Sequence, residues 1–170
     1  INETCSLPMD YNTFKASEKL TFKIYYNWSA LWMKAGNATF ELSNDQLDNK
    51  SVYHVECEGR TASAFNWVYE VNDRYETYMD PETLLPLKYI RDIQEGKFTK
   101  KNQFRFFHDR NEVQIDYRIR KGELKAKDEV APIKSCTQDM LSALYYTRAF
   151  DFKNSNLTIG DTIPVDIFLD

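Results

Sequence analysis

From Lys19 to Trp28 the side chains alternate with a period of two. Leu20, Phe22, Ile24, Tyr26 and Trp28 fall on one side of an extended chain, with mostly polar groups on the other. The same period returns in Ala38, Phe40 and Leu42, and in Tyr53, Val55 and Cys57, which face away from His54, Glu56 and Glu58. It is cleanest where Val113, Ile115, Tyr117 and Ile119 alternate with Gln114, Asp116, Arg118 and Arg120. One apolar and one charged face per strand is the antiparallel pattern, because parallel strands are covered on both faces and read as continuous apolar runs.

Turn chemistry sits between these runs. Residues 80–83 read Asp-Pro-Glu-Thr, 95–97 Glu-Gly-Lys and 109–111 Asp-Arg-Asn, and Lys121–Gly122 turns the chain once more. The run 28–36, WSALWMKAG, reads as a bulky apolar hairpin loop. Two stretches change period. Ala64, Phe65, Val68 and Tyr69 predict a short helix near 61–71 with Thr61 as its cap. Met140, Leu141, Leu144, Tyr145 and Arg148 predict an amphipathic helix near 137–148, with Asp139 in its first turn, where an acid meets the positive end of the dipole. A last strand is expected over 162–170, with Ile163, Val165, Ile167 and Leu169 on one face and in need of a neighbour.

The expected fold is mainly β: a curved antiparallel meander forming a barrel or half-barrel whose apolar face the second helix plugs. Residues 1–13 read as a flexible N-terminal segment and 14–170 as a single β domain. At 170 residues with 42% hydrophobic content the chain builds one core. The 25 Phe, Tyr and Trp residues exclude global disorder. No apolar run reaches the roughly 18 residues that cross a bilayer as a helix. The opening Ile1 and the polar stretch after it read as the start of a mature exported chain after signal removal.

Cys5, Cys57 and Cys136 permit one internal disulfide at most, and a Cys57–Cys136 bridge is not expected. They form no C-x-x-C pair, which removes the usual zinc spacing. Only His54 and His108 are present, and neither sits in a recognisable nucleophile, zinc or phosphate-loop motif. The reading is therefore a non-enzyme with no cofactor and no metal; a glycan-processing hydrolase would need two carboxylates converging in a cleft at about 5–9 Å. Five Asn-x-Ser/Thr triplets, at Asn2, Asn27, Asn37, Asn49 and Asn156, are read as chance products of Asn-rich turns. From Lys97 to Lys127 ten Lys or Arg stand against four Asp or Glu, so this stretch carries +6 and the remainder −10 of a total of −4. It is either a solvated outer face that discourages edge pairing or a surface for an anionic head group.

The segments EKLTFKIYYNW, RYETYMDPETLLPLKYIR, CTQDMLSALYYTR and GDTIPVDIFLD, in that order, resemble a family of exported bacterial proteins known as a domain of unknown function. That family is similar to YmcC-type envelope proteins and to the half-barrels of periplasmic lipoprotein carriers. Asp80, Pro81, Pro86, Asp139, Tyr146 and Arg148 carry the pattern, and none brings an assigned role. The resemblance implies a periplasmic or outer-envelope location in a Gram-negative bacterium, a concave apolar surface, and further strands beyond Asp170. The candidate ligand-binding residues are Tyr26, Trp28, Trp32, Phe65 and Trp67, with Arg105, Arg118 and Arg148 for an anionic head. The expected partner is a lipid-like amphiphile, with an envelope protein as the alternative and no nucleic acid. In that alternative the chain is an assembly module that docks through residues 28–33.

Overall fold

A computed structural model describes residues 9–169 apart from 30, 66, 68 and 122, and leaves the side chains of 28, 117, 119–121 and 123–127 undescribed. Eight antiparallel strands run β1 (Lys19–Trp28), β2 (Leu31–Leu47), β3 (Lys50–Thr61), β4 (Asn72–Met79), β5 (Pro86–Glu95), β6 (Phe98–Phe107), β7 (Glu112–Lys121) and β8 (Glu123–Pro132). Each pairs with its sequence neighbours in the spatial order β1 to β8. The sheet is an open meander, a curved half-barrel and not a closed barrel. One helix, α1 (Met140–Ala149), follows it. No helix among the described residues is long and apolar enough to cross a membrane.

The core lies where α1 meets the sheet. Leu42, Val55, Met79, Tyr89, Phe104, Phe106, Val113 and Ile115 from the strands pack with Leu141, Tyr145, Tyr146 and Ala149 from the helix. The helix begins at Met140 and not at 137, and its cap is Asp139, expected in the first turn. Its carboxylate accepts from the backbone N–H of Leu141 and Ser142 at 2.7 and 2.9 Å, while the Ser142 hydroxyl accepts from the Asp139 N–H at 2.8 Å. The Thr77 hydroxyl of β4 donates to the same carboxylate, pinning the helix start to the sheet. The buried face of α1 therefore includes the small residues Ser142, Ala143 and Ala149, while Met140 and Leu144, expected inside, are 44% and 40% exposed.

Three local expectations are corrected. The helix near 61–71 is a single 3-10 turn, Ser63–Phe65. Thr61 ends β3 and is no helix cap: its N–H donates to the Val71 carbonyl and its hydroxyl accepts from the Val71 N–H, which closes 62–70 as a strand-to-strand loop. The apolar run 28–36 is no loop either, since β2 begins at Leu31 and pairs with β1 up to Trp28. Of the strand expected over 162–170, residues 162–169 form none. Ile167 makes one parallel bridge to Gln138, and Val165 and Phe168 pack against the core, with the Phe168 ring edge-on to Phe104 at 5.9 Å. The expected single apolar face fails because this strap is anchored at one point beside the helix cap, which leaves Ile167 and Leu169 outside.

Of the lead-in, residues 9–13 are tied to the domain: Met9 bridges Phe150, and the Asp10 N–H donates to the Ala149 carbonyl. Residues 1–8 lie outside the described residues. Cys57 is a buried free thiol and Cys136 is disulfide-bonded, so the two do not pair; the partner of Cys136 lies outside the described residues.

Candidate functional site

Cross-strand pairing assigns every side chain of β1 and β2 to a face. Leu20 pairs with Phe40, Phe22 with Ala38 and Ile24 with Gly36, all on the concave face that α1 covers further across the sheet. The register shifts between Ile24 and Tyr25, where β2 inserts Ala35 as a bulge. Only glycine fits at position 36, because a Cβ there would stand 2.5 Å from the Arg60 carbonyl oxygen. Beyond the bulge Tyr26 pairs with Met33 and Trp28 with Leu31, so the concave-face row runs on to the hairpin tip.

This row is not covered. Phe22, Ile24, Tyr26 and Leu31 are 51%, 48%, 61% and 68% exposed. The reason is geometric: a ten-residue helix is about 15 Å long, whereas eight strands at about 4.8 Å spacing span about 34 Å. The helix packs over the middle of the sheet, and Phe168 of the C-terminal strap covers Phe104 and Phe106 of β6. The β1–β2 edge remains bare. Where it meets the helix, Leu20, Phe22 and Phe40 face Leu144 and Arg148 across an apolar cleft of about 480 Å³. The Phe22 and Phe40 rings meet edge-to-face at 5.7 Å.

β3 ends opposite Gly36, so residues 25–35 form a two-stranded ribbon projecting past the rest of the sheet. Trp32, 70% exposed, shares its outer face with Tyr25, which is 50% exposed. The β3–β4 loop lies at the same end, held to the ribbon's base by the Ala62 N–H donating to the Ala35 carbonyl. It carries the half-buried Phe65 and Trp67, 84% exposed, whose indole N–H donates to the Ala64 carbonyl. Tyr26, Trp32, Phe65 and Trp67 are thus gathered at one end of the sheet, and Trp28 joins them by its backbone position, its side chain lying outside the description.

The three arginines separate. Arg148 is at the cleft, where its guanidinium grips Glu18 through two bonds of 2.7 and 2.9 Å and lies 5.0 Å from the centre of the Tyr145 ring. Arg105 and Arg118 are on the opposite, convex face, engaged with Asp48 at 3.1 Å and Asp116 at 3.6 Å. They are not brought to the aromatics. That convex face is a ladder of ion pairs, of the kind that keeps a sheet surface wet and unpaired. It also holds the one candidate ligand grouping among the described residues: His54, Glu56 and Glu76 offer atoms within 4.8 Å of one another. Arg74 already bonds both carboxylates, and the His54 ring stacks on Tyr78 at 4.3 Å, so the grouping is satisfied as an ion-pair network. His54 and Arg74 beside it hold the Glu76 carboxyl below its ordinary range.

Two carboxyl groups on the concave side are shifted upward by burial. Asp139 is completely enclosed and is pushed up to about 6, with the four hydrogen bonds around it opposing the shift only in part. Asp73, beside the Gln94 N–H at 3.0 Å, moves the same way. Asp139 has no exposed surface, so its shift belongs to the helix anchor and not to chemistry on a solvent-borne substrate.

The concave row itself was legible as an alternating stripe, but its exposure was not. Phe22 and Ile24 look in the sequence like core, and their availability follows from the helix being too short to reach them. Fold and site together define a class: an open antiparallel half-barrel with a partly bare apolar trough leading to an aromatic tip. The chain belongs to the family described as protein of unknown function (DUF3108), which matches residues 21–170. No curated protein and no solved structure matches it.

Proposed function

We propose that this is a non-enzymatic cell-envelope protein that binds a lipid-like amphiphile, laying its apolar part along the β1–β2 trough and into the cleft beneath α1. The observation that carries the reading is the bare row of Leu31, Tyr26, Ile24 and Phe22 ending in a cleft of about 480 Å³ at Leu20 and Phe40, within the roughly 300–1,000 Å³ range of small-molecule sites. Covering a half-exposed Phe or Ile is worth about 1 kcal/mol each, so an acyl chain lying along Phe22, Ile24, Tyr26 and Leu31 gains several kcal/mol. Arg148 at the rim supplies the cation nearest the cleft. A disulfide at Cys136 suits an oxidising compartment such as the periplasm.

Titration of the purified chain with a fluorescent fatty-acid analogue tests this. Saturable binding with one site per chain is expected, weakened about tenfold in Phe22→Glu, which places a charge in the trough. Because Phe22 is half exposed, the variant keeps the fold. Absence of saturable binding in the parent protein, or equal binding in the variant, refutes the reading and favours the assembly-module alternative, which is supported by the ribbon and the open β1 edge.

A further inference from the structure

We infer that the projecting ribbon is a docking device for an anionic bilayer surface, from which the trough is loaded. This rests on the amphiphile-binding reading and adds to it the surface from which the ligand comes.

Exposed aromatics crowd the ribbon end: Tyr25, Tyr26, Leu31 and Trp32 on the ribbon, and Trp67 and Tyr69 on the neighbouring loop, are all at least half exposed. Tyr and Trp pair an apolar ring with a polar tip, the combination suited to the layer between head groups and acyl chains. The ribbon stands about 13 Å beyond β3, counting four residues of strand, so its tip reaches such a layer before the body of the sheet does. Charge is arranged to match. Among the described side chains at the aromatic end, Lys34, Arg60 and Lys97 stand against Glu70 and Glu95. The turns at the other end carry Asp45, Asp48, Asp80, Glu82, Asp109 and Glu112 against Lys50 and Arg110. A negatively charged surface is therefore repelled by the opposite end and takes the aromatic end in preference. The concave row joins this end to the cleft without a break, from Leu31 and Tyr26 through Ile24 and Phe22 to Leu20. An apolar chain leaving the bilayer at the tip is in contact with protein over about 26 Å of strand. The chemistry required of the partner is a lipid surface with anionic head groups.

All three tryptophans, Trp28, Trp32 and Trp67, belong to this end, so intrinsic fluorescence reports on it alone. The test titrates the full chain with vesicles of phosphatidylcholine containing one quarter phosphatidylglycerol and, separately, with pure phosphatidylcholine. Expected are co-sedimentation and a blue-shifted tryptophan emission with the anionic vesicles. Weaker binding to the zwitterionic ones is expected too, along with about a tenfold loss in Trp32→Glu and about a fivefold loss in Lys34→Gln. Both side chains are exposed, and unchanged circular dichroism of the variants confirms their fold. No sedimentation with either vesicle, equal binding to both, or self-association of the chain through the ribbon in place of vesicle binding overturns the inference. Retention of a fatty-acid analogue by Trp32→Glu that no longer binds vesicles supports it, separating docking from the cleft. Loss of analogue binding in the parent protein while vesicles are still bound sinks the amphiphile reading and leaves the docking surface standing.

Discussion

Replacing Asp139 by Asn should abolish the pH dependence that this residue imposes on stability. Asp139 is fully enclosed, and burial pushes its carboxyl up to about 6 from the 3.8 of the unfolded chain. The native state thus holds this proton more tightly than the unfolded state does. Its contribution is complete below pH 4 and is lost as pH rises through 6. The difference between 3.8 and about 6 corresponds to about 3 kcal/mol. Asn keeps an oxygen for the Leu141 and Ser142 N–H groups and turns its NH₂ toward the Thr77 hydroxyl, which then accepts. Cap and anchor survive, and only the titration goes. Urea unfolding followed by circular dichroism at pH 4, 5, 6 and 7 measures the difference between the two proteins. That comparison cancels the opposite contributions of carboxyl groups held below their usual range, such as Glu76. The Asn variant should be close to the parent at pH 4 and gain on it by up to about 3 kcal/mol by pH 7. A difference that does not change with pH, or that grows in favour of the parent, would refute the account of a buried, proton-binding cap.

Gly36→Ala should destabilise the protein by about 1–3 kcal/mol, because its Cβ would press on the Arg60 backbone at the bulge; the same urea curves at pH 7 read it. The Cys57 thiol, pushed up to about 11 by burial, should react with iodoacetamide at pH 8 roughly 100-fold more slowly in the native protein than in urea, as followed by mass spectrometry. Arg148→Ala leaves the half-buried Glu18 without its bidentate partner and should cost about 1.5–3 kcal/mol by urea unfolding.

The meander was legible because most strands from Lys19 to Pro132 state their own period, and the Asp80, Gly96 and Asn111 turns punctuate it, although the first residues of β2, within the apolar run 28–36, read as a loop. The C-terminal helix was legible from Asp139 and the apolar run after it, although its buried face was not: Ser142 and Ala149 face inward because the capping box fixes the helix's rotation about Asp139. Periodicity failed over 61–71, where a few apolar residues at helical spacing lie in a loop whose ends are clamped by Thr61 and Val71. It failed again over 162–170, because an alternating segment becomes a strand only if a free edge is in reach, and here a single bridge to Gln138 is made. The aromatic candidates were recognisable by type. The arginines were not separable by type, since which face Arg105 or Arg118 takes depends on register and not on local sequence.

Native mass spectrometry of the gently purified full chain tests the central claim most directly. The account predicts a fraction of molecules heavier by the mass of one amphiphile, which organic extraction releases and which is absent from Phe22→Glu purified in parallel. A parent protein that carries no added mass and takes up none after incubation with anionic phospholipid, or an adduct that persists unchanged in Phe22→Glu, would contradict it.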